Sequence, residues 1–327
     1  MKYIDLHCDT LMQAFIQGKQ DLGALNGTML TLDKLKQGGA CAQFFAIFMP
    51  PLSYRAQFPQ LPDDDRYIEI LSGILAQTAQ NHPADLFRAC GGNHLSACME
   101  PGAVAAYLTL EDGRPVQGRL EKLDTYARMG IRLITLTWNE ANCFGSPNSN
   151  DPAVMNTGLT AFGREAIAHM EELGILVDVS HLSDGGFWDV VRLSRKPFVA
   201  SHSSCRALCP HPRNLTDDMI RAVADCGGVM GINFGPAFIS PDLSHPVSTL
   251  EGIAAHIRHA VNVGGIGCVA LGSDFDGVTG QMEVDGPDKI PLLLRQLHKE
   301  GFSTWECEQI AWKNTQRVIQ SMSESRP

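Results

Sequence analysis

Eight short apolar runs alternate along this chain with segments that have the spacing of amphipathic helices, and this alternation limits the folds it can adopt. Each run is nearly continuous in apolar residues, which is typical of strands whose sheet is covered on both faces. Strands that alternate with helices are characteristic of parallel α/β architectures. The predicted strands are Tyr3–Cys8, Cys41–Phe48, Val104–Leu110, Arg132–Thr137, Ile175–Ser180, Phe198–Ser201, Val229–Phe234 and Cys268–Gly272.

The segments between these strands have recognisable helix ends. Leu159–Leu173 has apolar residues at helical spacing and is followed by Gly174, a residue that favours the end of a helix. Ser303-Thr304-Trp305-Glu306 is a capping box that opens the last helix. The pattern predicts an α/β fold of the (β/α)8 TIM-like barrel type, built as one domain over residues 1–327, with a doubly wound open sheet as the alternative.

Composition excludes several classes of protein. The net charge is −10 and no basic patch is visible, which argues against a nucleic-acid partner. No stretch of about 18 apolar residues could span a membrane, and the start of the chain does not have the pattern of an export signal. Ten cysteines without such a signal are expected to be reduced thiols, so the predicted location is cytoplasmic.

Potential metal ligands and proton-handling groups follow five of the predicted strands. In a barrel the carboxyl ends of all strands meet at one mouth, so these groups are expected to converge there, and this favours the barrel over the open sheet. One histidine at a strand end is weak evidence, and the joint pattern carries the prediction. Imidazole together with carboxylate favours zinc or a similar ion, and a shared carboxylate would make a two-metal site. The residues are His7, Asp9, Glu111, His181, His202 and Asp274.

The other histidines look ordinary from their positions. His211 is close to the predicted mouth, but Cys209-Pro210-His211-Pro212 is typical of a rigid turn. Four more lie on predicted helices and are expected to be exposed: His169, His256, His259 and His298.

These segments resemble the membrane (renal) dipeptidase family, zinc peptidases built on an amidohydrolase-type barrel. The resemblance spans nearly the whole chain, and the Ser-His-Ser-Ser and Ser-Asp-Phe-Asp-Gly segments are specific for it. The matching segments are Asp5-Leu6-His7-Cys8-Asp9, Leu110-Glu111-Asp112-Gly113, Val177-Asp178-Val179-Ser180-His181, Ser201-His202-Ser203-Ser204, Arg213-Asn214, Gly272-Ser273-Asp274-Phe275-Asp276-Gly277 and Asn314-Thr315-Gln316-Arg317-Val318.

The resemblance implies a role for each residue. His7 and Asp9 would bind one zinc ion, His181 and His202 would bind a second, and Glu111 would bridge both. Arg213 would hold the terminal carboxylate of the substrate. Asp274 would handle the proton while a hydroxide that bridges the two metals attacks the peptide bond. The expected activity is hydrolysis of dipeptides.

One residue departs from the family pattern. The animal enzymes have a substrate-contacting histidine after the fourth strand, where this chain has Trp138 in Leu136-Thr137-Trp138-Asn139. Indole donates one hydrogen bond but cannot be protonated, so Trp138 is expected to contact the substrate as a donor and an apolar wall. The loop Asn139–Gly158 that follows is either a segment that covers the substrate or exposed decoration.

Two alternatives to a dipeptidase stay open. The chain could be another binuclear amidohydrolase that acts on a cyclic amide or an N-acyl amino acid, since such substrates can use the same metal pair. It could also be a metal-binding relative that has lost catalysis, as Trp138 suggests. The sequence leaves the oligomeric state open, a homodimer included.

Overall fold

A computed structural model of the protein describes residues 1–55, 61–91, 102–242 and 244–322. Within these residues eight parallel strands close into a barrel, because the last of them, β10, pairs with the first, β1. The barrel that the sequence predicts is therefore confirmed, and the open sheet is wrong. Its strands in spatial order are β1 (Tyr3–Asp5), β2 (Ala40–Phe48), β4 (Val104–Glu111), β5 (Ile131–Thr135), β6 (Leu176–Asp178), β7 (Val199–Ala200), β8 (Val229–Ile232) and β10 (Val269–Leu271).

One strand of this sheet was not expected from the sequence. Strand β3 (Leu86–Ala89) pairs in parallel with the first half of β4, with Leu86 opposite Val104. Strand β5 pairs with the second half of β4, starting with Ile131 opposite Leu108. A short strand that contains an arginine does not stand out as an apolar run, which is why the pattern does not reveal it.

Helices fill the connections between the barrel strands, and most begin at a side-chain cap. The hydroxyls of Thr160, Ser183 and Thr216 each accept a hydrogen bond from a backbone N–H in the first turn. The predicted capping box at Ser303 is confirmed. The helices are α1 (Thr10–Ile16), α2 (Leu32–Gly38), α3 (Leu52–Arg55), α4 (Asp64–Asn81), α5 (Leu120–Met129), α6 (Pro152–Met155), α7 (Ala161–Glu172), α8 (Asp184–Leu193), α9 (Asp217–Asp225), α10 (Pro236–Ile239), α11 (Leu250–Gly264), α12 (Ile290–Lys299), α13 (Thr304–Glu308) and α14 (Asn314–Met322).

The remaining regular elements are short. Strands β9 (Val247–Ser248) and β11 (Gln281–Met282) form a separate parallel pair. A π-helical turn, Gln309–Lys313, joins α13 to α14, and four 3-10 turns lie at Leu22–Ala24, Arg114–Val116, Ile266–Cys268 and Pro287–Lys289. Among the helices described, none has the length and apolar character needed to cross a membrane.

The core has two layers, separated by the ring of strands. Alternate residues of the strands belong to two different clusters, as Phe44 and Phe45 of β2 do, because successive side chains point to opposite faces of a sheet. The larger cluster includes the helices and forms the outer layer. The smaller cluster takes Val318 and Ile319 from α14, so the last helix helps to fill the barrel itself.

Candidate metal centre and active site

The structure brings all six predicted ligands and proton-handling groups to the carboxyl ends of the barrel strands. Every one of them is buried, with His181 the most accessible at 9% exposed. Residues separated by as many as 267 positions therefore meet at one mouth. They are His7 and Asp9 after β1, Glu111 at the end of β4, His181 after β6, His202 after β7 and Asp274 after β10.

Glu111 lies between two groups of ligands and offers one oxygen to each. Its Oε2 lies 3.5 Å from Nε2 of His7. Its Oε1 lies 3.1 Å from Nε2 of His181 and 3.5 Å from Nε2 of His202. A carboxylate with its two oxygens directed to different ligand sets has the geometry of a bridge between two metal ions.

On one side of this carboxylate, two imidazole nitrogens meet with no proton between them. The Ser201 hydroxyl donates its hydrogen to Asp178 at 2.5 Å, so Nδ1 of His202, 2.7 Å from that hydroxyl, must carry a hydrogen. Nδ1 of His181 is 3.2 Å from the Oδ1 of Asn139 and carries one as well. Both Nε2 atoms then present lone pairs, 3.1 Å apart. A cation between them would stabilise two facing lone pairs beside a carboxylate.

On the other side of Glu111, three buried polar atoms make no hydrogen bond within the described residues. Among the described residues, both ring nitrogens of His7 and the Oδ1 of Asp9 are buried without a hydrogen bond. Burial opposes a charge on His7, but the carboxylates of Glu111 and Asp9 outweigh this effect and raise its pKa well above the usual value. Burial and the neighbouring Asp9 likewise raise the pKa of Glu111. A bound positive charge would therefore stabilise this half of the site as well.

The residues present therefore fit a pair of metal ions. Three overlapping groups of side chains have ligand atoms within 4.8 Å of one another. Two of them are the sets expected from the resemblance, joined by Glu111, and the third includes Asp274. The groups are His7, Asp9 and Glu111; Glu111, His181 and His202; and His7, His202 and Asp274.

The backbone is strained at this mouth. His181 and Asp274 adopt left-handed conformations, with φ of 68° and 63°, which cost about 1–3 kcal/mol each for residues with a side chain. Gly277 lies in close contact with two carboxylates. A Cβ atom at this position would be 2.0 Å from Oδ2 of Asp9 and 2.5 Å from Oδ1 of Asp274. The last strand end is thus shaped around the carboxylates.

A cavity of about 320 Å³ opens above the ligands. Arg213 lines it, and its guanidinium donates to Ser203 and to the backbone oxygen of His202 while its buried Nε has no partner among the described residues. Trp138 lines it too, packed edge-on against Phe48 with ring centroids 4.9 Å apart. Both predicted substrate-contacting residues therefore border the space next to the candidate metal ligands.

Several site residues were not found from the sequence. Asn233 donates to Oδ2 of Asp274 at 2.8 Å, and Asn139 supports His181 as described above. Asp178 and Ser201 lie in the segments that carry the resemblance, and the repeated Ser-His pair was a signal that could have identified Ser201. His211 lines the cavity with Arg213, so the interpretation as a turn alone was incomplete.

A ring of ligands with a shared carboxylate, at the mouth of a (β/α)8 barrel, defines the class of metal-dependent hydrolases. The chain belongs to the membrane dipeptidase family, peptidase family M19, whose sequence model matches residues 1–326. The family consists of metallo-dipeptidases, so the chain is an enzyme of that class.

Individual relatives agree with this assignment. A protein of Klebsiella pneumoniae, described as an uncharacterized protein in the pqqA 5' region, is 37% identical over 74% of this chain and 91% of its own. An uncharacterized dipeptidase of Schizosaccharomyces pombe is 30% identical over 98% of this chain and 82% of its own. Among solved structures, dipeptidase AC, a metallo peptidase of family M19, has a TM-score of 0.87 and 25% identity, with 98% of each chain covered.

Proposed function

We propose that this protein is a zinc-dependent dipeptidase with a binuclear site. His7 and Asp9 would hold one zinc ion, His181 and His202 the other, and Glu111 both. The observation that carries the proposal is the orientation of Glu111, whose Oε2 is 3.5 Å from His7 and whose Oε1 is 3.1 Å from His181. Imidazole and carboxylate ligands favour zinc among the divalent ions that proteins commonly bind.

The chain supplies a proton carrier beside these ligands. Two zinc ions would contribute a hydroxide that bridges them near neutral pH and a positive charge for the oxygen of the scissile bond. Oδ2 of Asp274 accepts a hydrogen bond from Asn233, and its Oδ1 lies 3.7 Å from Nε2 of His7. Asp274 therefore lies beside the proposed metal ligands. Burial raises its pKa, which suits a group that takes a proton as base and returns it to the leaving amine as acid.

Arg213 gives the site its preference for short substrates. Arg213 lines the cavity that also holds the ligands, and its buried Nε has no hydrogen-bond partner among the described residues. A guanidinium binds a carboxylate with two parallel hydrogen bonds. A substrate held there by its C-terminal carboxylate would present its nearest peptide bond to the ligands. This arrangement favours dipeptides over longer chains and internal bonds.

The proposed place of action is the cytoplasm. Seven cysteines of the described residues are free thiols, Cys8, Cys205 and Cys209 among them, and a reducing compartment would keep them so.

The test is hydrolysis of a dipeptide panel by the purified protein before and after metal removal. We expect turnover in the native protein, no turnover after complete chelation, and recovery with two equivalents of zinc per chain. The same panel should include cyclic amides and N-acyl amino acids. Turnover of those compounds with dipeptides inert would replace the proposal with the other amidohydrolase, and hydrolysis that survives metal removal would refute it.

A further inference from the structure

Arg213 shares its end of the cavity with a second donor, His211. The rings of His211 and Phe238 lie edge to face with centroids 4.9 Å apart, and the guanidinium carbon of Arg213 lies 5.6 Å from the centre of the same Phe238 ring. Both residues line the cavity above the metal ligands. Phe238 thus contacts both the imidazole and the guanidinium.

The hydrogen bonds of His211 determine which of its ring nitrogens can donate to a bound substrate. The backbone N–H of Arg213 donates to Nδ1 of His211 at 3.1 Å. Nδ1 is therefore an acceptor, and the neutral ring must carry its hydrogen on Nε2. Among the described residues Nε2 has no partner of its own. Prolines at positions 210 and 212 limit the backbone on both sides of this ring.

The charges around His211 keep the ring neutral. Burial lowers its pKa, and the guanidinium groups of Arg213 and Arg206 lower it further. The same proximity acts on the metal centre, where a charge on His211 is one of the causes that lower the pKa of His181. His211 can therefore offer one N–H close to the ligands without adding a charge to them.

We propose that His211 is a substrate-binding residue whose Nε2–H donates to the C-terminal carboxylate that Arg213 holds. The inference rests on the proposed dipeptidase function and extends it by a second carboxylate contact. A carboxylate has two oxygens and about four acceptor positions, so a guanidinium and an imidazole can bind it together. This contact selects substrates that end in a free carboxylate.

Two substitutions separate binding of the substrate from support of Arg213. His211→Asn keeps an acceptor near the position of Nδ1 but has no atom at the position of Nε2. His211→Gln places an amide N–H near Nε2 but loses the acceptor for the Arg213 N–H. A hydrogen bond to a charged group contributes enough that its loss should raise KM about tenfold. We expect His211→Asn to show this loss and His211→Gln to retain most of the wild-type KM.

The readout is KM and kcat for one dipeptide and for the same dipeptide with an amidated C-terminus. His211→Asn should raise KM for the dipeptide about tenfold and change KM for the amide less than about twofold, with kcat little altered. The matched control is His245→Asn, because His245 is an exposed histidine that also precedes a proline, outside the cavity. It should behave as wild type on both substrates.

The outcomes discriminate between the two roles. If His211→Asn is silent and His211→Gln is damaging, His211 only positions Arg213 and the inference is wrong. Equal effects of His211→Asn on the dipeptide and the amide would also overturn it, while the dipeptidase proposal would stand. If neither substrate is hydrolysed by the zinc-loaded wild type, the proposed function fails, and calorimetric binding of the two compounds to the same variants still measures the contact.

Discussion

Two regions of this protein each bury one histidine to the same extent, but the ring nitrogens of these two histidines differ in their hydrogen bonds. His7 at the barrel mouth and His256 on α11 are each 1% exposed. Nδ1 of His256 accepts the backbone N–H of Cys205 at 3.0 Å, and its Nε2 donates to the backbone oxygen of Ile239 at 3.1 Å. Neither nitrogen of His7 makes a hydrogen bond within the described residues, and its Nε2 lies 3.5 Å from the carboxylates of Asp9 and Glu111. Burial alone therefore does not distinguish a structural histidine from a metal ligand.

The difference indicates what each region contributes. A buried polar group whose bonds are completed by the protein stabilises the fold, whereas one left incomplete lowers stability until a ligand arrives. The mouth contains further incomplete atoms, Oδ1 of Asp9 and Nε of Arg213. We therefore expect substitutions at the mouth to change activity and metal content, and substitutions around His256 to change stability.

Glu111→Gln should give the largest effect. It removes the charge that both halves of the site share, so we expect kcat/KM for dipeptides to fall at least a thousandfold, equivalent to roughly 4 kcal/mol, and bound zinc to fall below two per chain. The metal-free variant should be no less stable than the metal-free wild type, because one of several crowded buried carboxylates is gone. Elemental analysis, kinetics and urea unfolding measure the three quantities. Near-normal activity with two zinc ions would remove Glu111 from the bridging position.

His256 should affect stability instead, with a definite pH dependence. Burial lowers the pKa of the folded-state ring to about 4, against about 6.5 when unfolded. As pH falls through this interval, the unfolded chain binds the proton first, so stability is present above pH 6.5 and decreases below it. The loss between pH 7.5 and 4.5 is about 2.5 kcal/mol.

The variant His256→Leu tests this assignment. It leaves the N–H of Cys205 and the carbonyl of Ile239 unpaired, so at pH 7.5 its free energy of unfolding should be lower by about 2–3 kcal/mol. It has no titrating ring, so the gap to the wild type should narrow as pH falls to 4.5. Urea unfolding at both pH values measures the gap, and metal content should stay at the wild-type level. A gap that is independent of pH would contradict the assigned hydrogen bonds.

Ser201 contributes both to the hydrogen bonding of the fold and to the proposed metal site. It completes a hydrogen bond to Asp178 and also fixes the proton of His202. Loss of such a supporting contact to a ligand costs about 10–100-fold in metal affinity, so Ser201→Ala should weaken the binding of one of the two proposed zinc ions by this factor. Thr135→Val is the control, because Thr135 donates to the same oxygen of Asp178 at 2.7 Å without touching a ligand. Equal zinc affinities in the two variants, measured by competition with a chelator, would exclude the role of Ser201.

The contrast between the two histidines also explains what the sequence could predict. The barrel and the convergence of His7, Glu111 and His202 followed from apolar runs that end in polar groups, because parallel strands bring their carboxyl ends together. His256 was expected to be exposed and this prediction was wrong. It lies on α11 between apolar neighbours, and the backbone groups that satisfy it come from positions 205 and 239, which helical spacing cannot reveal.

The supporting residues of the site were out of reach for a related reason. Asn233 and Asn139 act through contacts across 41 and 42 positions, and their residue type is also common in ordinary turns. His211 was identified as part of a turn, which is correct for its backbone, but the cavity that gives its ring a second role exists only in three dimensions. Strand-end patterns predict where ligands gather, and they do not predict which polar atoms stay unpaired.

Substitution of Trp138 should give the smallest effect on activity. It tests whether the substrate-binding part of the site includes this side chain. Its ring borders the cavity but its contacts are those of packing, with Phe48 at 4.9 Å and His181 at 6.0 Å between ring centroids. Trp138→Phe keeps an aromatic wall and removes the indole N–H, which is worth about 0.5–1.5 kcal/mol if it binds the substrate. We expect kcat/KM to fall by no more than about tenfold and zinc content to stay unchanged.

The control for Trp138 is its packing partner, because Phe48→Leu disturbs the wall without removing any donor. If both variants lose the same few-fold activity, Trp138 serves as a wall, and the histidine of the animal enzymes has no functional counterpart at this position. A larger loss in Trp138→Phe would assign the indole N–H to substrate binding. A fall in kcat/KM of a hundredfold or more, about 2.7 kcal/mol, would show that Trp138 is as important for activity as the proposed ligands. Well-packed surroundings would then not be enough to classify a residue of this protein as structural.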